Sequence, residues 1–294
     1  MTESDREAFV ARFRRALEHI DAHLDEELDV ERLAAVAAYS KFHFHRQFSA
    51  LFGIGVHEFV RLTRFRRAAH ELAYRERPVI EVALDAGYES PEAFARAFKG
   101  AFGQTPTEFR RQPDWAASDA AMRPVRDVRR QHMKPETQER RVEIVAFPET
   151  KIGVLEHRGD PRRIGDTIRS FIAWRRANHL HPSTSATFNL LYGDPDTTPP
   201  DEFRLDLCAA VKGDVAPNTF GVVARTIPGG RCARLRHVGS DDGFAATFEW
   251  LYEEWLPASG QEPRDFPLFL QRVKFFPDVP EHEAVTDVYL PLKK

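Results

Sequence analysis

The sequence predicts two differently built parts. The first is an all-α N-terminal domain with two helix-turn-helix units joined by a long helix. The second is an α+β C-terminal domain built from a duplicated strand-strand-helix unit, an antiparallel sheet with two helices. Three observations predict this. Aromatic residues recur every fourth position in two copies about fifty residues apart; beyond residue 141 the apolar pattern changes from helical spacing to alternation; and that second half repeats at an offset of 80.

The sharper of the two aromatic copies comes second. Phe94, Phe98 and Phe102 place an aromatic stripe on one face of a short helix, and Gly103 stops it. Residues 79–86 read as a preceding helix, with Gly87 supplying the sharp reversal between the two. The looser copy spans residues 30–61. Tyr39, Phe44, Arg46, Phe48, Phe52 and Gly53 fall on Tyr88, Phe94, Arg96, Phe98, Phe102 and Gly103, and Glu58-Phe59 falls on Glu108-Phe109. Either copy alone fits a packed aromatic core equally well; two copies at a fixed offset favour a duplicated functional unit. Between them, residues 57–75 form a helix-like stretch carrying Arg61, Arg64, Arg66 and Arg67. At about 1.5 Å per residue it spans roughly 28 Å, close to the roughly 34 Å that separates major-groove segments on one face of a duplex. Its arginines can meet phosphates there, or form a solvated face paired with Glu58 and Glu71; for Arg64 the solvated face is expected.

The 294 residues suffice for two or three domains with sizeable cores, and no apolar run approaches membrane-spanning length. The N-terminus lacks the basic and apolar regions of a signal peptide, so a cytoplasmic protein without membrane contact is expected. The net charge of −3 conceals an asymmetry: residues 32–112 carry thirteen Lys or Arg against eight acids, a local charge of +5. Affinity for nucleic acid follows such local clusters rather than the whole-chain sum. Cys208 and Cys232 are too few for a disulfide scaffold or zinc cluster and read as core residues. His43 and His45 diverge on a helix; His19 and His23, four apart, can converge but lack a third ligand nearby, so no metal and no cofactor are expected.

Residues 8–111 resemble the DNA-binding domain of the AraC/XylS family of transcription regulators. The likeness rests on Gly87-Tyr88-Glu89-Ser90, Phe94, Arg96, Phe98-Lys99, Phe102-Gly103 and Thr105-Pro106. The resemblance implies two reading helices that enter adjacent major grooves of an asymmetric promoter site, with RNA polymerase as a candidate further partner. It places Lys41, Phe42, His45 and Arg46 on the first reading face, and Pro91, Glu92, Ala93 and Arg96 on the second, with Lys99 and Arg61 as additional DNA contacts. Arg46 and Arg96 suit bidentate bonding to guanine, Phe42 a thymine methyl or packing, and Glu92 cytosine N4. Pro91 and Ala93 offer no polar readout, so the second unit is expected to read mainly shape.

Residues 112–141, with Pro113, Pro124 and Pro135 among many charges, read as a flexible linker between a domain at 1–111 and one at 142–294. Strands are expected at 142–147, 151–156, 187–192, 204–211, 220–227, 231–238 and 286–292, and helices at 164–178 and 244–256. Pro148, His157 and Gly159 match Pro228, His237 and Gly239 at the offset of 80. This half resembles the GyrI-like small-molecule-binding domain, through Tyr192-Gly193-Asp194-Pro195-Asp196, Thr198-Pro199 and the closing stretch at 286–292. Effector-contacting aromatics are expected in a cleft-facing register: Phe171, Trp174, Phe188, Tyr192, Trp250, Trp255, Phe269 and Tyr289. Relatives that take cationic drugs resemble one another in a strand glutamate after a Phe; here Leu270 follows Phe269. A neutral or apolar effector is therefore expected, unless Glu249 or Asp206 supplies the carboxylate. The whole reads as an effector-controlled DNA-binding regulator without catalysis. The alternatives are a small-molecule hydrolase fused to a DNA-binding module, which the missing carboxylate disfavours, and a repair methyltransferase, which needs a reactive-cysteine motif that neither Cys208 nor Cys232 has.

Overall fold

The computed structural model describes residues 3–132, 140–195 and 197–294. It divides into two compact units. The first comprises Met1–Glu136 with the short segments Ser240–Gly243 and Pro280–His282; the second comprises Thr137–Gly239, Phe244–Val279 and Glu283–Lys294.

In the first unit, α1 (Glu3–Ala22), α2 (Val30–Val36) and α3 (Lys41–Phe52) lead into the long α4 (Val56–Tyr74). Then come α5 (Val79–Asp85), α6 (Pro91–Phe102), α7 (Pro106–Arg111) and α8 (Trp115–His132). The every-fourth aromatics do what their spacing dictates: Phe44 and Phe48, like Phe94, Phe98 and Phe102, are buried to 1% exposure or less. Each triplet closes around a phenylalanine from an earlier helix. Phe13 of α1 lies 5.6, 6.4 and 5.9 Å from Phe44, Phe48 and Phe52, and Phe65 of α4 lies 6.0, 5.6 and 6.0 Å from Phe94, Phe98 and Phe102. Tyr39 stacks on Phe13 as Tyr88 stacks on Phe65. The duplication therefore reaches farther back than the sequence match: α1 serves the first helix-turn-helix as α4 serves the second. Emptying one such position, Phe to Ala, costs about 3–5 kcal/mol.

The expected linker is largely a helix. Met122, Val125 and Val128 on α8 are buried in the helical core, Trp115 stacks on Tyr74, and Pro124 sits inside the helix. Pro and charge density in 112–141 obscured an apolar stripe at helical spacing. Arg129 on α8 is 3% exposed and its Nη2 donates to Asp21 of α1 at 2.6 Å. The boundary expected at 111 thus falls later.

The second unit is one eight-stranded sheet in the order β1-β6-β8-β7-β3-β4-β2-β5, antiparallel throughout. Its strands are β1 (Val142–Phe147), β2 (Thr150–Arg158), β3 (Thr187–Leu191), β4 (Arg204–Ala210), β5 (Val223–Ile227), β6 (Gly230–Val238), β7 (Leu268–Lys274) and β8 (Val285–Pro291). β7 is the one strand absent from the sequence expectation, because Leu268-Phe269-Leu270 reads as an apolar run rather than an alternation. Two helical segments cover one face. Phe171 and Trp174 of α9 (Ile164–Ala177) pack with Leu155 and Leu207, while α10 (Phe244–Glu249), the π-helical turn Trp250–Trp255 and α11 (Leu256–Ser259) pack over Leu235, Leu270 and Val288. Gly153 lets α9 approach this closely, since a Cβ there would lie 2.4 Å from Trp174 Cη2.

The repeat at offset 80 has a hydrogen-bond signature. His157 Nδ1 lies 2.8 Å from Thr167 Oγ1, and His237 Nδ1 lies 2.9 Å from Thr247 Oγ1, each pinning a strand end to its helix. His157 Nε2 also lies 3.2 Å from the Asp160 carbonyl. A carbonyl only accepts, so Nε2 carries the proton and Nδ1 accepts from the threonine hydroxyl. Burial lowers the His157 pKa, outweighing the Asp160 carbonyl, Asp160 and Asp166, which raise it.

Candidate nucleic-acid interface and ligand cavity

The two helices expected to read bases share one local design. α3 and α6 are each twelve residues long; Ser40 and Ser90 cap their N-termini by accepting from the backbone N–H of His43 and Ala93, and Gly53 and Gly103 end them in the left-handed region at φ 68° and 74°. With the phenylalanines inward, Lys41, Phe42, His45 and Arg46 are exposed on α3, and Glu92, Arg96 and Lys99 on α6; Pro91 and Ala93 are half-buried. Phe42, at 77% exposure, is the most exposed large apolar side chain of the described residues, with Lys41 Nζ 5.9 Å from its ring centroid. Among the described residues, Arg46 and Arg96 have no hydrogen-bond or ion-pair partner, so both guanidiniums are available to an incoming acceptor. Lys41 pairs with Glu31 across half-exposed side chains, a contact worth little in water and exchangeable for phosphate.

The long helix keeps the expected surface pairing with Glu58 at Arg61 and departs from a solvated arginine face at Arg64 and Arg66. Arg61 is held by Glu58 through Nε and Nη2 at 2.8 and 2.7 Å and lies over the Phe65 ring. Arg64 is not solvated: it donates to the carbonyls of Leu24 and Glu26 at 3.0 and 2.6 Å, tying α4 to the turn after α1. Arg66 pairs with Asp242 of the same unit at 2.7 Å, and Glu71 pairs with Arg77 at 3.7 Å. His19 and His23 stack with ring centroids 3.9 Å apart, and the His23 ring nitrogen bonds the His19 carbonyl.

In the second unit, a cavity of about 410 Å³ opens on the sheet face that the helices leave uncovered. Phe147, Phe188 and Tyr289 supply aromatic wall; Val145, Ala146, Pro148 and Ala186 supply aliphatic wall; Arg234, Gln271 and Thr150 supply polar groups. Strand register explains the grouping: Phe188 lies directly opposite Gln271, Arg234 directly opposite Tyr289, and Tyr289 opposite Phe269, two residues from Gln271, so all four share one face. Tyr289 O–H donates to Gln271 Oε1 at 3.3 Å, and Arg234 Nη2 donates to Glu143 on β1. Burial pushes the Tyr289 phenol above its ordinary pKa.

Of the expected effector contacts, Phe188 and Tyr289 line this cavity. Phe269 sits beside Tyr289 on the same face, stacked on it at 5.0 Å, without lining the cavity itself. Phe171, Trp174, Trp250 and Trp255 do not have the cleft-facing register expected of them, because they pack under the helices on the opposite face. Leu270 also faces the helices, and the β7 residue that reaches the cavity is Gln271. Glu249 is exposed at the end of α10 and does not line the cavity. Asp206 is fully buried on the uncovered face and is satisfied from within: Tyr192 O–H donates to it at 2.9 Å, and Arg204 Nε and Nη2 at 3.0 and 2.9 Å. Burial, reinforced by that bond, raises the Tyr192 pKa to about 12. Sequence reasoning missed Arg234, Gln271 and Phe147. The parity of residues 268–274 was the available signal, legible only once they are known to be a strand.

Residues 140–293 match the family described as GyrI-like small molecule binding domain, and residues 33–112 match the Helix-turn-helix domain family. The second half is similar to the probable transcriptional regulator YgiV of Escherichia coli K12, at 37% identity over 152 residues, 51% of this chain and 95% of that one. The first part is similar to the regulatory protein SoxS of Salmonella typhimurium, at 36% identity over 94 residues, 32% of this chain and 88% of that one. It is also similar to the right origin-binding protein of E. coli K12, at 38% identity over 98 residues, 33% of this chain and 34% of that one.

Proposed function

We propose, from the premise that this chain belongs to the AraC family of DNA-binding transcription regulators and carries a domain of the GyrI-like small-molecule-binding family, that a ligand seated in the cavity lined by Phe188 and Tyr289 controls its binding to promoter DNA. The reading faces of α3 and α6 enter two adjacent major grooves of an asymmetric site, and transcription control implies RNA polymerase as the downstream partner. The observation that carries the DNA half is the pair of serine-capped helices that present exposed Arg46 and Arg96, unpartnered among the described residues. Two such helices per chain let one molecule read a full site without a symmetric partner. The ligand acts by shifting the population of a DNA-competent state, which requires unequal affinity for the two states. The relatives matched are regulators, and none of these steps needs catalysis. Action on chromosomal DNA places the protein in the cytoplasm.

Selection of bound fragments from random DNA followed by footprinting tests this reading. Arg46→Ala is expected to weaken binding about 10- to 100-fold, as loss of a bidentate guanine contact does, with protection lost at one half of the site and kept at the other. Arg96→Ala should affect the opposite half. A footprint unchanged in both variants would remove these helices from base reading.

A further inference from the structure

We infer that the cavity on the uncovered sheet face takes an aromatic ligand bearing a carboxylate or similar anionic acceptor, held by Arg234 and Gln271. The inference rests on the proposal that this cavity is the effector seat, and it names the ligand class. Among the described residues, no carboxylate lines the cavity, and Arg234 is its one charged wall residue.

The hydrogen-bond directions decide what the polar edge offers. Tyr289 spends its O–H on Gln271 Oε1, which leaves the Gln271 amide N–H₂ group to donate. Thr150 spends its hydroxyl proton on the Pro148 carbonyl. Arg234 gives Nη2 to Glu143 and is also hydrogen-bonded to the Tyr289 side chain; a guanidinium has five N–H donors, so others remain for a ligand. Glu143 is half-exposed and its bridge to Arg234 lies near the surface, where such pairs are weak and yield to a better-placed carboxylate. The free donors of this edge are therefore the Gln271 amide and the remaining N–H groups of Arg234, which also carries its charge, above aromatic walls at Phe147 and Phe188. Aromatic faces alone would also attract a cation, but with no carboxylate to balance it a cation here would meet the fixed charge of Arg234. Asp206 does not alter this, because its oxygens are already occupied by Tyr192 and Arg204.

An isosteric series measured by titration calorimetry on the full-length protein tests the inference: 1-naphthoate, 1-naphthamide and 1-naphthylmethylammonium. The expected order is naphthoate at least tenfold tighter than naphthamide, with the ammonium weakest. Arg234→Gln should bring naphthoate down to the naphthamide level while leaving naphthamide unchanged, which shows that the variant folds. Glu143→Gln should tighten naphthoate by releasing its competitor. Ammonium binding tightest, or an order unaffected by Arg234→Gln, would overturn the anionic class while leaving the cavity as the effector seat. Binding of the whole series undiminished by Ala186→Trp, which fills the cavity, would overturn the seat itself. Absence of heat from all three compounds at millimolar concentration would overturn the inference.

Discussion

A few side chains carry most of the chemical argument, and what distinguishes them is which of their hydrogen-bonding atoms are already used. Arg46 and Arg129 are both arginines on amphipathic helices, yet one is exposed without a partner among the described residues and the other is buried against Asp21. Sequence position separated them only through the repeat, which aligned Arg46 with Arg96. His157 offers a titratable test at this scale. Its folded-state pKa is lowered by burial, so the neutral ring is the stabilised form. Stability is thus fully present above the unfolded-state value of about 6.5 and is lost as pH falls below it toward the folded pKa. Urea midpoints measured from pH 7.5 to pH 5 should fall more steeply for the parent than for His157→Gln, which cannot titrate. Parallel slopes would show that the His157–Thr167 contact does not hold a neutral ring.

At the level of elements, the two helix-turn-helix units and the two strand-strand-helix units were legible because duplication doubles every signal. Phe94, Phe98 and Phe102 alone describe a packed helix; matched to Phe44, Phe48 and Phe52 they describe a unit. α8 and β7 were lost for opposite reasons. Charge and proline hid the stripe Met122-Val125-Val128, and burial of Leu268 and Leu270 against the helices beside Phe269 on the other face erased alternation. α8 is held to α1 partly through the buried Arg129–Asp21 pair. Arg129→Ala strands a buried carboxylate, a change that typically costs about 3–5 kcal/mol. Its urea midpoint should drop well below that of Arg123→Ala, an exposed arginine on the same helix, and equal midpoints would mean that α8 does not depend on the pair.

For the molecule as a whole, a net charge of −3 coexists with DNA binding because residues 32–112 carry a local +5. Fluorescence anisotropy on the selected site should show one chain per duplex. Affinity should fall steeply with salt, about 10³-fold or more between 50 and 200 mM if six or more phosphates are contacted. A nearly flat salt response would indicate that the basic segment does not engage the backbone. The sequence by itself determined the type of most elements, α8 and β7 excepted, together with the two duplications and the exposed faces of α3 and α6, because periodicity and glycine or serine punctuation act over a few neighbouring residues. Only the tertiary structure decided which residues line the cavity, since Phe147, Phe188, Arg234, Gln271 and Tyr289 come from five strands scattered over more than a hundred residues. Their shared face is set by strand pairing and register, and a one-residue shift in either reverses which side chains point inward.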